Sequence, residues 1–229
     1  MPYQVTNGLC TLADVKLALR ISPADVNDDY RLGLCIDAAS RSIENHCQRR
    51  FFQDQKPSAR IYKCTNPWVL LVDDFMTMAG FVLAIDYAGD GTYGTIAANP
   101  TNVARDGVLA QGDFQLEPAN GLINGQPWAW DKLTMIRSFY YPVYGGVAYP
   151  KPYLQLLMKV TAQWGWNYVP VDVQKACILE TIKLFKTDDT PFGMTPFPET
   201  GVVRMQRPGM SPGAYALLTP YRRQGVLVA

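Results

Sequence analysis

Apolar positions along the first fifty residues recur with helical spacing. Leu12, Val15 and Leu19 share a face behind Thr11, whose hydroxyl can cap a helix while Asp14, three positions on, completes a weakened capping box. This predicts a short helix ending near Ile21. Ser22-Pro23 then supplies an N-cap and a proline at the first helical position, so a long helix is expected from there to about Arg50. Leu32, Ile36, Ala39, Ile43 and Cys47 form one stripe of it, and Val26, Tyr30 and Leu34 form a second, confined to the first half. The short helix is expected to fold back onto that second stripe as a helical hairpin.

From Ser58 to about Asn167 the pattern changes to short runs separated by turn residues. Arg60-Cys64, Trp68-Val72, Phe81-Tyr87, Tyr93-Ala97, Val108-Ala110, Phe114-Leu116, Leu133-Phe139 and Leu154-Trp164 have strand character. Asp90-Gly91, Asp106-Gly107, Gly112-Asp113, Asn120-Gly121 and Asn124-Gly125 fall at the spacing of a small sandwich or barrel. The stretch from Tyr140 to Tyr153 is too rich in Pro and Gly for a central strand and predicts a long aromatic loop.

Helical spacing returns after Val169-Pro170 and lasts to about Lys186. Val171, Val173, Cys177, Ile178, Ile182, Leu184 and Phe185 take half the circumference, with Asp172, Lys175, Lys183 and Lys186 opposite. Leu179 projects into the charged side, where an isolated subunit gains nothing from a leucine. Beyond Thr187, Pro191, Pro196, Pro198, Gly201, Pro208 and Gly209 predict an extended arm, and Ala214-Leu218 a last helical turn closed by Pro220. The expected class is α+β, with an N-terminal helical part (1–57), an inserted antiparallel β domain (58–169), a helix completing the helical core (170–187) and an extended C-terminal arm (188–229).

Composition narrows the function. A length of 229 residues suits one or two domains. Twenty-one Lys and Arg against twenty Asp and Glu leave a net charge of +1, which provides no overall field for nucleic acid or an anionic membrane. The excess is local, since Arg204, Arg207, Arg222 and Arg223 face no acid after Glu199. The single histidine, His46, excludes most hydrolase and zinc templates; it lies beside the apolar stripe, where a packed role outweighs a catalytic one. Cys10, Cys35, Cys47, Cys64 and Cys177 are odd in number and never in a C-x-x-C spacing, as expected of reduced thiols in a chain made in a cytoplasm. The N-terminus has no apolar signal region and no run is long enough to span a bilayer.

Motifs with a chemical meaning fail on context. Gly89-Asp90-Gly91-Thr92-Tyr93-Gly94 matches G-x-G-x-x-G but precedes a strand pattern and Pro100 rather than a helix, so a hairpin turn is favoured over a phosphate site. A calcium loop starting at Asp86 would need ligands where Ala88 and Ala97 stand. Asp73-Asp74 and Asp188-Asp189 sit at element ends, where solvated acids are routine. No catalytic residue, metal site or cofactor site is predicted. Trp128, Trp130, Tyr140, Tyr141, Tyr144, Tyr149, Tyr153, Trp164 and Trp166 could stack sugars or bases, belong in part to a core, or anchor a protein interface.

Several segments, taken in order, resemble the head-tail connector (adaptor) proteins of tailed bacteriophages. They are Thr11-Leu12-Ala13-Asp14-Val15-Lys16, Asp28-Asp29-Tyr30, the Ala38-Ala39-Ser40-x-x-Ile43-Glu44 helix, Gly165-Trp166-x-x-Val169-Pro170-x-x-Val173-x-x-Ala176, Thr190-Pro191-Phe192-Gly193 and Leu217-Leu218-x-Pro220-Tyr221-Arg222-Arg223. The β block departs from the smallest members and looks like the insertion of larger adaptors. The resemblance implies a non-enzymatic ring subunit of the virion neck, commonly in twelve copies. Such a ring docks on the portal protein, extends the DNA channel without sequence-specific binding, receives a stopper or tail-completion protein, and involves no membrane. It also implies that Leu217, Leu218, Tyr221, Arg222 and Arg223 engage the portal. A ring needs opposite faces of each subunit to match, which would give Leu179 a use as an interface residue. The rival expectation is a tail-associated or carbohydrate-binding β module, resting on the tryptophans and the turn-rich middle.

Overall fold

The computed structural model describes residues 3–63, 66, 68–86, 93, 107–108, 114–135, 143–144, 147–148, 157–188, 194–196, 203–205 and 209–223. They form two compact units, one of Met1–Phe52 with Tyr168–Ala229 and the other of Gln53–Asn167.

In the first unit, α1 (Leu12–Leu19) opens on the expected capping box: the Asp14 backbone N–H donates to Thr11 Oγ1 at 3.1 Å and the Thr11 N–H to Asp14 Oδ2 at 3.1 Å. It closes on Arg20 in the left-handed region. The long helix, α2 (Asp29–Cys47), starts seven residues after the expected cap. Residues 21–28 make consecutive turns instead, with the Asp25 N–H bonded to Ser22 O and the Asn27 N–H to Asp25 Oδ1. Ser, Asp and Asn side chains offer the backbone partners that compete with helix, and here they outweigh Pro23. Buried Lys16 locks the turns by pairing with Asp29 at 2.5 Å and donating to Asp25 O at 2.7 Å.

The predicted hairpin does not form on the second stripe. Leu32, Ile36, Ala39, Ile43 and Cys47 are fully buried, whereas Val26, Tyr30 and Leu34 are 67%, 55% and 42% exposed. What lies along this part of α2 is the N-terminal strand of chain rather than α1. The Tyr3 ring meets Tyr30 edge-on at 5.6 Å, and its hydroxyl donates to Asp37 Oδ2 at 2.5 Å. Gly33 makes room for it, since a Cβ there would stand 2.6 Å from Tyr3 Cδ1. α1 packs against α2 and against α3 (Val171–Asp188), which also packs along α2. α3 buries Val173, Ala176, Cys177 and Phe185 together with Glu180 and Thr181, while Val171, expected inside, is 78% exposed.

The second unit is antiparallel β. A four-stranded sheet has the order β1 (Ser58–Lys63), β11 (Leu157–Ala162), β3 (Val82–Asp86), β4 (Gly107–Val108). A three-stranded sheet has the order β2 (Val69–Phe75), β8 (Trp130–Met135), β5 (Phe114–Glu117), with a register shift in β2 between Leu71 and Phe75. Side chains from both sheets enclose one core: Leu70, Val72, Phe75, Leu83, Phe114, Leu133, Met158, Val160, Ala162 and Trp164. β11 shows the period-2 alternation that a sheet buried on one face requires. β6 (Leu122–Ile123) and β7 (Gln126–Pro127), too short for the strand pattern to reveal, flank Asn124-Gly125. Both turn residues have positive φ, 51° and 76°, as a type I′ hairpin demands.

The expected aromatic loop contains a small ladder of β9 (Val143–Tyr144) with β10 (Val147–Ala148), and the expected arm contains one of β12 (Met194–Pro196) with β13 (Val203–Met205). The Gly89–Gly94 motif apart from Tyr93, the strand at Tyr93-Ala97 beyond its first residue, Cys64, Asp189 and the remainder of the tyrosine-rich stretch lie outside the described residues.

Candidate docking surface

The C-terminal docking residues inferred from the resemblance come together on the helical unit. Ser211 caps α4 (Pro212–Leu218), its hydroxyl accepting from the Ala214 N–H, with Pro212 at the first helical position. A 3-10 turn, Thr219–Tyr221, follows directly. α4 lies on α3, with Ala214 and Leu218 fully buried. From 209 to 223 the expected arm is therefore folded on its own subunit.

Polar contacts hold the segment at its ends, among them a bond from Lys183 Nζ to Gly209 O. The Ser211 backbone N–H donates to Glu180 Oε1 at 2.7 Å, which gives buried Glu180 the partner its position on the inner face of α3 calls for. Buried Arg49 donates from Nε to Tyr221 O at 2.8 Å, and the Arg223 N–H donates to Cys47 O at 2.9 Å, satisfying a carbonyl at the end of α2. The Tyr221 ring meets Phe51 edge-on at 6.1 Å, and the His46 ring lies 5.2 Å from that of Tyr215. His46 is thus a packing residue.

The five inferred residues have different roles in this arrangement. Leu218 faces inward, Leu217 and Tyr221 are half-buried, Arg222 is exposed and Arg223 is half-exposed. The backbone bond to Cys47 and the Arg49 bond to Tyr221 O bring the Arg222-Arg223 backbone next to Arg49; the Arg50 guanidinium lies 4.3 Å from the centre of the Phe52 ring, with that of Arg41 5.4 Å from it on the same ring. The outer surface is cationic and aromatic, with Tyr215 49% exposed, a composition suited to an acidic protein surface. Leu179 is half-buried, its Cδ1 3.7 Å from where a Cβ on Gly213 would stand, so α4 gives it a partner within the subunit.

The sequence reading missed Arg49 and Glu180. Glu180 carried a signal: it follows Val173, Ala176 and Cys177 on one face at helical spacing, and an acid in a buried stripe needs a donor. Arg49 carried none, because its partner lies 172 positions away.

Burial, then the charge of Asp172 and the hydrogen bond to its Oδ2, push the Tyr221 phenol up to about 12 from its ordinary 10.0. The folded state thus keeps a proton that the unfolded chain releases, so this contribution to stability is complete below about pH 10 and is lost as pH rises through about 12. The difference in urea midpoint between the wild type and Tyr221→Phe should accordingly shrink over that window, and a constant difference would contradict it. Glu44 is raised by burial, against the opposing charges of Arg41 and Arg50, and its Oε1 accepts the Phe51 N–H at 3.2 Å.

The other candidate groups serve structure. Asp73 binds Arg60 at 2.5 Å and the Tyr62 hydroxyl at 2.8 Å. Buried Asp74 accepts from Trp166 Nε1 at 2.7 Å. Trp164 and Trp166 are both core residues. Among the described residues no group of three or more His, Cys, Asp or Glu could hold a metal ion, and no helix is long and apolar enough to cross a membrane.

Residues 10–69 match the family of Phage gp6-like head-tail connector proteins, so the resemblance seen in the N-terminal sequence is confirmed over that stretch. No curated protein sequence matches the chain. Solved structures share its fold, and two of them are parts of gene transfer agent particles. A chain in the neck of an empty gene transfer agent particle, computed with C6 symmetry, is 15% identical with a TM-score of 0.53; the alignment covers 99% of this chain and 96% of that one. A chain in the virion of a native gene transfer agent particle is 16% identical with a TM-score of 0.52, at the same coverage of both chains. The α+β class read from the sequence is thereby supported over the whole length.

Proposed function

We propose that the chain is a non-enzymatic connector subunit of a phage-like virion neck, that its copies assemble into a ring, and that the ring docks on a portal protein through α4 and the turn after it. The observation that carries this reading is the extent of the fold likeness. It covers 99% of the chain, so most of the β unit and the C-terminal helix, which lie beyond the family match, have counterparts in the same kind of particle. Leu217, Tyr221, Arg222 and Arg223 provide the portal contact, and Leu218 acts from beneath by holding α4 in place. The ring has twelve copies, a number that C6 symmetry accommodates, and it continues the DNA channel toward a stopper or tail-completion protein. A channel lined without net positive excess would let DNA pass without gripping each phosphate.

The ring contact is the exposed stripe Val26, Tyr30 and Leu34, and its occupant is a second copy of this chain, because a closed ring requires each subunit to bury such a face on its neighbour. Leu179 supports assembly through α4. Tyr30→Asp combined with Leu34→Asp should leave a monomer with unchanged far-UV circular dichroism that no longer forms high-mass rings by light scattering; rings of undiminished mass would contradict the assignment. The carbohydrate-binding alternative loses two of its tryptophans to the core, Trp164 and Trp166.

A further inference from the structure

The N-terminal segment and α3 meet at two sulfur atoms. Cys10 Sγ lies 3.3 Å from Cys177 Sγ, though the residues are 167 positions apart, and both side chains are buried. The neighbourhood holds them in place. Ser40 Oγ, 3.5 Å from Cys177 Sγ, accepts the Leu9 N–H at 3.0 Å and donates to Ile36 O at 2.7 Å, which fixes the backbone next to Cys10 against α2. Thr181 Oγ1 stands 4.0 Å from Cys177 Sγ, one turn further along α3. Every one of these residues belongs to the helical unit.

A thiol pair in contact has two uses, as a packed hydrogen bond or as the reduced form of a cross-link. Bond formation requires the sulfurs to approach from 3.3 Å to about 2.05 Å, a little over 1 Å of travel. We propose that Cys10 and Cys177 are a latent disulfide site, which closes when the subunit meets hydrogen peroxide and then ties the N-terminal segment to α3.

The hydrogen bond from Cys10 lowers the Cys177 thiol and raises that of Cys10, so Cys177 is the more readily ionised of the two and serves as the nucleophile. The Cys177 thiolate attacks one oxygen of peroxide, the O–O bond breaks and hydroxide leaves, giving a sulfenic acid. The Cys10 sulfur then attacks the Cys177 sulfur, the S–O bond breaks, and the Cys10 proton leaves with the departing hydroxide as water. Two electrons pass from the thiol pair to one peroxide. Both side chains are buried, so a small oxidant such as peroxide reaches the sulfurs more readily than a bulky disulfide does. In a reducing compartment the pair stays as two thiols.

The other described cysteines are placed differently: Cys35 faces the Asp188 carboxylate at 3.9 Å, and Cys47 is enclosed in the core of α2. The cross-link should therefore be specific. It would also close a loop running from before α1 to α3, and so remove unfolded-chain entropy across most of the molecule.

The test is to treat the purified full-length chain with dilute hydrogen peroxide, denature it in an alkylating reagent, and map its peptides by mass spectrometry without reduction. The expected result is a Cys10–Cys177 linked peptide, two of the five thiols lost, Cys35 and Cys47 still alkylated, and a rise in melting temperature that dithiothreitol reverses. Cys35→Ser and Cys47→Ser should keep the linkage, and Cys177→Ser should lose it; the wild-type map decides the matter if that variant fails to fold. Five alkylated thiols after treatment, a Cys177 sulfinic acid without a link, or linkages that involve Cys35 or Cys47 would overturn the proposal.

Discussion

Leu218→Ala is expected to cost about 2–5 kcal/mol, the range for emptying a fully enclosed leucine site, and the loss should fall first on α4. The helix has seven residues, far below the length at which a helix stands alone in water, so it persists through what it buries and how it is capped. Leu218 and Ala214 are its two buried side chains, and alanine already occupies one of these positions. With Leu218 cut back, the remaining ties include the Glu180, Arg49 and Cys47 contacts, each of which contributes about 1–3 kcal/mol at most. Hydrogen exchange should show residues 211–223 losing protection while α2 and α3 keep theirs. The same variant should lose portal binding with its arginines intact, because the arginines would no longer be presented on a fixed surface. Unchanged protection of α4 would show that the hydrogen bonds alone hold it.

Trp164→Ala should destabilise the β unit by about 3–5 kcal/mol. Its indole is fully enclosed, contacts Phe75 and Tyr62 at ring separations of 6.0 Å each, lies 4.6 Å beneath the Arg60 guanidinium and donates to Ser58 O at 2.8 Å. Removing it opens a cavity between the sheets, leaves the Ser58 carbonyl without that donor and takes away a face on which Arg60 rests. Trp164→Phe should recover most of the packing but not the hydrogen bond, and so should fall between the two. Urea unfolding followed by near-UV circular dichroism reads this order, and equal stability of the alanine variant and the wild type would contradict the central place given to Trp164.

These two residues also show what the sequence could and could not disclose. The strand pattern placed the runs of β1, β2, β3, β5, β8 and β11 because alternation along a sheet is local, and Asn124-Gly125 announced its hairpin because few other pairs accept two positive φ values. The Thr11 and Asp14 capping box and the main stripe of α2 were legible for the same reason. The second stripe was not. An apolar row says that something covers it without saying what, and part of the cover is Tyr3, reached through the space over Gly33, while Val26, Tyr30 and Leu34 remain open. The start of α2 was misplaced because Pro23 was weighed ahead of the turn chemistry of Asp25, Asn27 and Asp28. Leu179 stood out against a charged face only as long as α4 was absent from the picture. The C-terminal motif could be read from the sequence, but the division of the proposed docking residues into an inward leucine and more exposed arginines depends on Arg49, Glu180 and Cys47, partners far away in sequence.

The proposed role of this subunit is to form a ring on a portal. Mixing the purified chain with portal rings of the same particle and imaging the product by electron microscopy tests it most directly. The expected result is an added ring on one end of the portal for the wild type, and bare portals for Arg222→Glu combined with Arg223→Glu, whose helical content should be unchanged. Bare portals with the wild-type chain, or an added ring that forms equally well with the charge-reversed variant, would contradict it.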